Sequence, residues 1–417
     1  MRRLALGLLL STGCYQHHEV AEVEEPPPTD CTAALQRGAP APMPGYCPTR
    51  SNRSAHAMPE GPPALRWTLE LPFEATDDQV VVAARDRLYV SVEGHLVAVD
   101  DEGDHASIAW TADLAPSHPP LVLADDTIFF ARRDGGGAEG VWLGEDGRVV
   151  RRVPLPVAPT GHPMVDSRGR LFFRSGWSDD ASIFALSHEG ELLWTRAMGG
   201  TIAVAPDDTV VVYESRVTED LSERRPDYFR LEVWLHALDG QTGEDRWNVE
   251  VDHDGYALSG PALDAAGDVH LLVDRFGTSS LMIFDAGGGL RVERDLGAFR
   301  YGGPASLSLG ADGTSFFKLG DFFRAVSSDG ALLWESDVHL NFDVGGAGDG
   351  AGRLLLGHRA VDARDGSELW VSEIPAHRED LPDGRTTFVF AGPLVVGDGT
   401  LYYLGSPRHV YAASAMP

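Results

Sequence analysis

With 417 residues, 43% of them hydrophobic and 9% aromatic, the chain is long enough to bury a substantial core, and its 47 glycines argue against a helix bundle. Lys and Arg total 34 against 63 Asp and Glu, and the formal charge of −29 repels the phosphate backbone of any nucleic-acid partner. Lys318 is the only lysine, so Schiff-base chemistry and phosphate-loop motifs have almost no foothold.

The chain opens with Met1-Arg2-Arg3 and the apolar run Leu4 to Leu10, too short to cross a bilayer but suited to the core of a secretory signal. Small residues Ser11-Thr12-Gly13 precede Cys14. The arrangement resembles the lipobox of bacterial lipoproteins, with the leucine displaced by one place to Leu10, and implies cleavage after residue 13 and fatty acylation of Cys14, palmitate being the expected kind of chain. The alternative is a plain cleaved signal with Cys14 lost or left as a free thiol. From residue 14 to residue 64 the composition turns to Pro, Ala, Glu and Ser, with Pro26-Pro27-Pro28 and Pro62-Pro63, which predicts an extended, flexible tether. Cys31 and Cys47 fall within it, and after export they are expected to pair, closing a loop worth about 3 kcal/mol of local order. Free or intermolecular thiols remain the alternative. No Cys/His spacing suggests a metal.

Beyond residue 64 the chain repeats with a period in the low forties. The clearest unit is a turn written Gly, three residues, Trp, present at Gly190/Trp194, Gly243/Trp247, Gly330/Trp334 and Gly366/Trp370. Trp67 and Trp110 close units whose glycine is displaced, Gly147 leads to Arg151 where Trp is expected, and Gly288-Gly289 leads to Val292 or Glu293. Before each turn lies a short alanine strand, such as Val97-Ala98-Val99-Asp100 or His236-Ala237-Leu238-Asp239. Earlier still comes a β-rich run, from Arg87-Leu88-Tyr89-Val90 to Thr400-Leu401-Tyr402-Tyr403; eight such runs can be counted. A four-stranded unit of this size cannot cover both faces of its sheet alone, which predicts an all-β, eight-bladed propeller of four-stranded antiparallel blades over residues 65–417. The last unit stops after its alanine strand, and Leu65 to Leu71 is a Trp strand without partners, so it is expected to complete the eighth blade and close the ring. The blade-packing tryptophans are then Trp67, Trp110, Trp194, Trp247, Trp334 and Trp370.

The alanine strand, glycine turn and terminal tryptophan resemble the pyrroloquinoline-quinone-like repeat family of propellers, over about residues 65–414. The resemblance admits quinoprotein dehydrogenases, which pair adjacent cysteines beside the quinone and hold a calcium ion. No two cysteines are adjacent here and none lies beyond Cys47, so no cofactor or metal is expected. Acidic pairs such as Asp207-Asp208 recur with the turns and read as turn chemistry. No nucleophile elbow, zinc-protease helix or phosphate loop is present, so no catalytic residue is assigned and enzymatic activity is not expected.

Two charged insertions interrupt the repeat: residues 215–230, with Arg224, Arg225, Tyr228 and Phe229 as candidate contacts, and residues 375–387. The resemblance is strongest to the non-enzymatic lipoprotein branch that includes the propeller lipoprotein of the outer-membrane β-barrel assembly machinery. It implies a monomeric scaffold for envelope proteins, attached to the outer membrane only through its lipid. A propeller enzyme, or a sugar- or peptidoglycan-binding module with its site in the channel, is the alternative.

Overall fold

The computed structural model describes residues 33–83, 87–176, 181–220, 229–252, 256–275, 278–298, 307–320, 322–337, 346–372, 377–380, 386–389, 395–406 and 408–415. All regular structure among them is β-strand, arranged as eight antiparallel sheets in a ring, with one detached two-stranded hairpin. Numbered in chain order, the blades begin with the inner strands Ala75–Val82, Leu121–Val122, Met164–Val165, Thr201–Val204, Ala262–Leu263, Leu307–Leu309, Ala347–Gly348 and Val395–Val396. The eight β-rich runs are the second strands, the alanine strands the third, and the tryptophans lie on the fourth.

In blade 8 the strand order is Val395–Val396, Thr400–Ser406, His409–Ala415 and, outermost, Pro63–Glu70. The register runs from Pro63 opposite Ala415 to Glu70 opposite His409. The two ends of the ring are thereby one sheet, with no free edge between them. At the same seam the buried carboxylate of Asp101 in blade 1 accepts hydrogen bonds from Trp67 Nε1 at 2.9 Å, Arg66 at 3.0 Å and the Tyr402 hydroxyl at 2.8 Å.

The core is sectioned like the ring. Val81, Tyr89, Phe130 and Val141 fill the space between blades 1 and 2, Val211, Leu235, Leu271 and Phe284 that between blades 4 and 5, and Phe316, Phe323, Leu354 and Leu356 that between blades 6 and 7. Each sheet is therefore buried on both faces, which is why its inner strands read as near-continuous apolar runs.

The tether expected between residues 14 and 64 is corrected by the described part of it. Leu35, Ala41, Met43, Cys47 and Met58 are buried, and the segment from residue 33 to residue 59 runs around the inner wall of the ring. Inner-strand N–H groups of six blades donate to its carbonyls: Val82 to Ala41, Val122 to Pro42, Val204 to Pro48, Leu263 to Thr49, Leu309 to Ser51 and Gly348 to Asn52, all at 2.8–2.9 Å. In blade 3 the direction reverses, Ala34 N donating to Asp166 O at 2.8 Å, and in blade 8 Val396 N donates to the Tyr46 hydroxyl at 3.0 Å. The physical reason is that the innermost strand of every blade is an unpaired edge whose N–H groups need acceptors, and an irregular, proline-containing segment can supply carbonyls around a circle where a straight strand cannot. Composition alone signals poor intrinsic structure; it does not register that eight edges wait for a partner.

Candidate functional site: the loop face and the plugged channel

Because strands alternate direction, the turns joining strands 1 to 2 and 3 to 4 emerge at one end of the ring, and those joining 2 to 3 and each blade to the next emerge at the other. We call these the turn face and the loop face. The inner-strand residues bonded to the segment, from Val82 to Gly348, are the last of their strands, so the segment plugs the channel at the turn face.

The turn face is built by repetition. Trp110 Nε1 donates to Glu145 O at 2.8 Å, Trp194 to Gly240 O at 3.1 Å, Trp247 to Ala286 O at 2.8 Å and Trp334 to Ala363 O at 3.0 Å, in each case reaching a turn of the following blade. The ring of Trp334 also lies on Gly366: a Cβ there would come within 2.7 Å of the indole, and the glycine φ of 71° is left-handed. The repeat glycine thus receives the tryptophan of the preceding blade. Where Trp is missing the same places are filled, Arg151 donating to His188 O at 2.7 Å and Val292 lying against Gly330. Trp370 is the exception, donating to Pro59 O of the plug at 3.0 Å. The acidic pairs behave as turn residues, Asp207 accepting from Thr209 N at 3.0 Å and Asp362 from Arg364 N at 2.8 Å.

The loop face carries both insertions, since one joins strands 2 and 3 of blade 4 and the other joins blade 7 to blade 8. The first prolongs its strands to Thr209–Asp220 and Phe229–Asp239, paired as far as Asp220 opposite Phe229. The second strand of blade 3 has 5 residues and that of blade 4 has 12, so at about 3.3 Å per residue the hairpin projects roughly 20 Å further. The second insertion forms the detached hairpin, His377–Asp380 with Thr386–Val389. Arg224, Arg225 and Tyr228 lie outside the described residues, as do Cys14 and Cys31; of Phe229 only the backbone pairing is described. Cys47 is buried and disulfide-bonded.

At the base of the long hairpin is a cluster that sequence reasoning missed. Glu214, buried, accepts from His236 Nε2 at 3.1 Å and from Arg216 at 2.7 Å, and Trp234 stacks on His236 with ring centroids 6.2 Å apart. Burial pushes the Glu214 carboxyl up, but its two bonded partners outweigh that and hold it below the ordinary glutamate value. The available signal was a polar residue at an inward position of a strand, Glu214 two places after Val212.

Within the channel, Arg50 of the plug sends its guanidinium to the start of blade 5, where a Cβ on Gly260 would come 3.3 Å from its Cζ. His162 and His118, at the loop-face entries to blades 3 and 2, meet edge to face with centroids 5.4 Å apart. Arg174 lies against Gly161 and donates to Thr160 O at 3.3 Å. Burial and then the charge of Arg174 lower Arg50 to about 10, while burial followed by His118, Arg50 and Arg174 pushes His162 down to about 3. Among the described residues no three His, Cys, Asp or Glu side chains gather as a metal ion would require.

A family model described as outer membrane protein assembly factor BamB matches residues 92–309, just over half of the chain. The chain belongs to that family. Two solved structures share its fold. The quinohemoprotein alcohol dehydrogenase ADHIIG of Pseudomonas putida HK5 is 12% identical with a TM-score of 0.58, covering 92% of this chain and 80% of its own. BamB of Moraxella catarrhalis is 16% identical with a TM-score of 0.50, covering 85% of this chain and all of its own. No curated protein matches. At these identities the likeness to either structure is one of fold, and the propeller of the pyrroloquinoline-quinone-like repeat family is the fold shown.

Proposed function

We propose that the protein is an exported, lipid-anchored scaffold of the bacterial envelope that binds protein partners with its loop face. The observation that carries this reading is the asymmetry of the ring. One end is sealed by the chain's own plug, while the other carries two charged insertions on a rigid support, the usual disposition of binding loops. Membership of a family described as an outer membrane assembly factor supports envelope partners and an outer-membrane address. Attachment would be through acyl chains on Cys14, and Cys31 is the proposed partner of Cys47, the disulfide tying the chain just ahead of the plug to the plug's middle.

The test is co-purification from envelope fractions after crosslinking, comparing the full chain with one in which residues 221–228 are replaced by a Gly-Ser turn. Loss of a specific crosslinked partner from the variant supports the reading; an unchanged set of partners refutes it. Labelled palmitate entering the chain but not its Cys14→Ser variant tests the anchor separately. A quinoprotein-type enzyme is not favoured, because no pair of adjacent cysteines exists anywhere in the chain.

A further inference from the structure

In four blades the alanine of the third strand stands between an aromatic ring on the second and the tryptophan on the fourth. Tyr89 and Trp110 flank Ala98, Phe172 and Trp194 flank Ala185, Phe316 and Trp334 flank Ala325, and Tyr402 and Trp67 flank Ala412. A methyl group between them lets the two rings meet over it, with centroids 5.8, 6.0, 6.1 and 6.3 Å apart. Blade 4 keeps the alanine and the tryptophan, Ala237 and Trp247, but carries Val211 in the place of the ring. Blade 7 has Leu355 there, and Met58 of the plug packs into the same cluster.

Two further positions beside Val211 are small as well. In blade 3 the turn joining strands 1 and 2 supplies Asp166 and Arg170, whose buried side chains pair with one another, and Arg170 reaches on to Gln241 of blade 4 at 3.1 Å. The same turn in blade 4 has Ala205 and Thr209 at those places, closed by the same backbone bond, Ala205 N to Thr209 O as Asp166 N to Arg170 O. What remains between blades 4 and 5 is a cavity of about 300 Å³, walled by Ala205, Val211 and Trp247 on one side and by Gly267 and Ala286 on the other. It opens at the turn face, where the exposed residues Asp207 and Ala266 line it. An apolar cavity of about half that volume is enough to hold benzene.

We propose that this cavity binds a small neutral molecule built on one aromatic ring, seated against Trp247 in the place that Tyr89, Phe172, Phe316 and Tyr402 fill in their own blades. The neutrality follows from the opening. Asp207 is already paired, accepting from Thr209 N at 3.0 Å and from Arg246 at 2.9 Å, so the lining offers a charged ligand no unpaired partner to offset its desolvation. A hydroxyl on the ring suits Thr209, whose Oγ1 accepts from Arg246 at 2.5 Å and keeps its own proton to donate. The site uses no residue of the insertions and is independent of partner docking at the loop face.

The experiment is a ligand-observed NMR titration of the purified full chain with phenol and, separately, with cyclohexanol, a saturated probe of similar size. Saturable binding of phenol, with cyclohexanol at least threefold weaker, is expected. Val211→Phe supplies the missing ring from within the blade and should weaken phenol binding at least tenfold. Ala205→Leu, which narrows the cavity from its other corner, provides the same comparison should Val211→Phe fail to fold. Absence of saturable phenol binding, an affinity for cyclohexanol within threefold of that for phenol, or wild-type affinity in the filled variant overturns the proposal.

Discussion

On the turn face blades 2 to 7 solve the same problem in nearly the same way: a left-handed glycine in the turn between strands 3 and 4 clears space, and a side chain of the preceding blade, tryptophan in four of the six, lands there. On the loop face the connections differ from blade to blade in length, charge and conformation, from the short entry at Gly161-His162 to the long paired arms of blade 4. The difference teaches where the ring is held together and where it is free to vary. Inter-blade docking needs a fixed geometry between neighbours, so repetition is retained where blades lock; a connection that only has to span a gap tolerates insertion at small cost. The plug belongs to the first regime although its sequence looks like the second.

Removal of residues 33–62 is the strongest way to break this comparison. It strips acceptors from inner-strand N–H groups around the ring and removes buried Leu35, Met43 and Met58. A loss above about 5 kcal/mol in urea unfolding, enough to abolish cooperative folding of a typical domain, is expected. A loss below about 1 kcal/mol would mean that the plug merely rests on a self-sufficient ring.

Next in size, Trp334→Ala opens the space between blades 6 and 7, where the indole stacks on Phe323 at 6.2 Å and is only 9% exposed, and is expected to cost about 3 to 5 kcal/mol. Gly366→Ala attacks the same contact from the other side and should cost about 1 to 3 kcal/mol. Because the two residues touch, the double variant should cost less than the sum of the two losses; strict additivity in denaturant melts would argue against the shared contact.

Acidification sharpens the contrast between channel and surface. The depressed His162 gives stability that is complete above its ordinary value of 6.5 and falls as pH drops toward about 3, because the unfolded chain takes up the proton first. Glu214, held below its ordinary 4.5, adds a second loss at lower pH. At about 1.4 kcal/mol per pH unit, discounted for a ring that is only half-buried, stability should fall by about 1 to 2 kcal/mol between pH 6.5 and 4.5. The His162→Phe variant should flatten that interval, and an unchanged profile would remove His162 as the cause. The smallest effect belongs to the loop face: shortening residues 221–228 to a Gly-Ser turn should change stability by less than about 0.5 kcal/mol.

The repeat was legible because it is local. Each blade states its own turn, alanine strand and tryptophan within some forty residues, and Gly330 to Trp334 reads as one unit whatever lies beside it. The partners of that unit were not legible in the same way. Nothing near Trp370 says that its indole will meet Pro59, more than 300 residues earlier in the chain. Glu214 and His236 look like ordinary strand positions until the hairpin pairs them.

By itself, then, the sequence determined the blade and the number of blades, since period-two apolar strands and glycine turns act over a few residues. It carried no message about the channel. Whether residues 33–59 trail away or fill the ring depends on inner edges that exist only once all the blades have closed, and Ala34 and Asp166, far apart along the chain, meet only inside that closed circle. Tertiary structure alone decided both, because the hydrogen-bond acceptors and the shared burial that fix them come from remote parts of the chain.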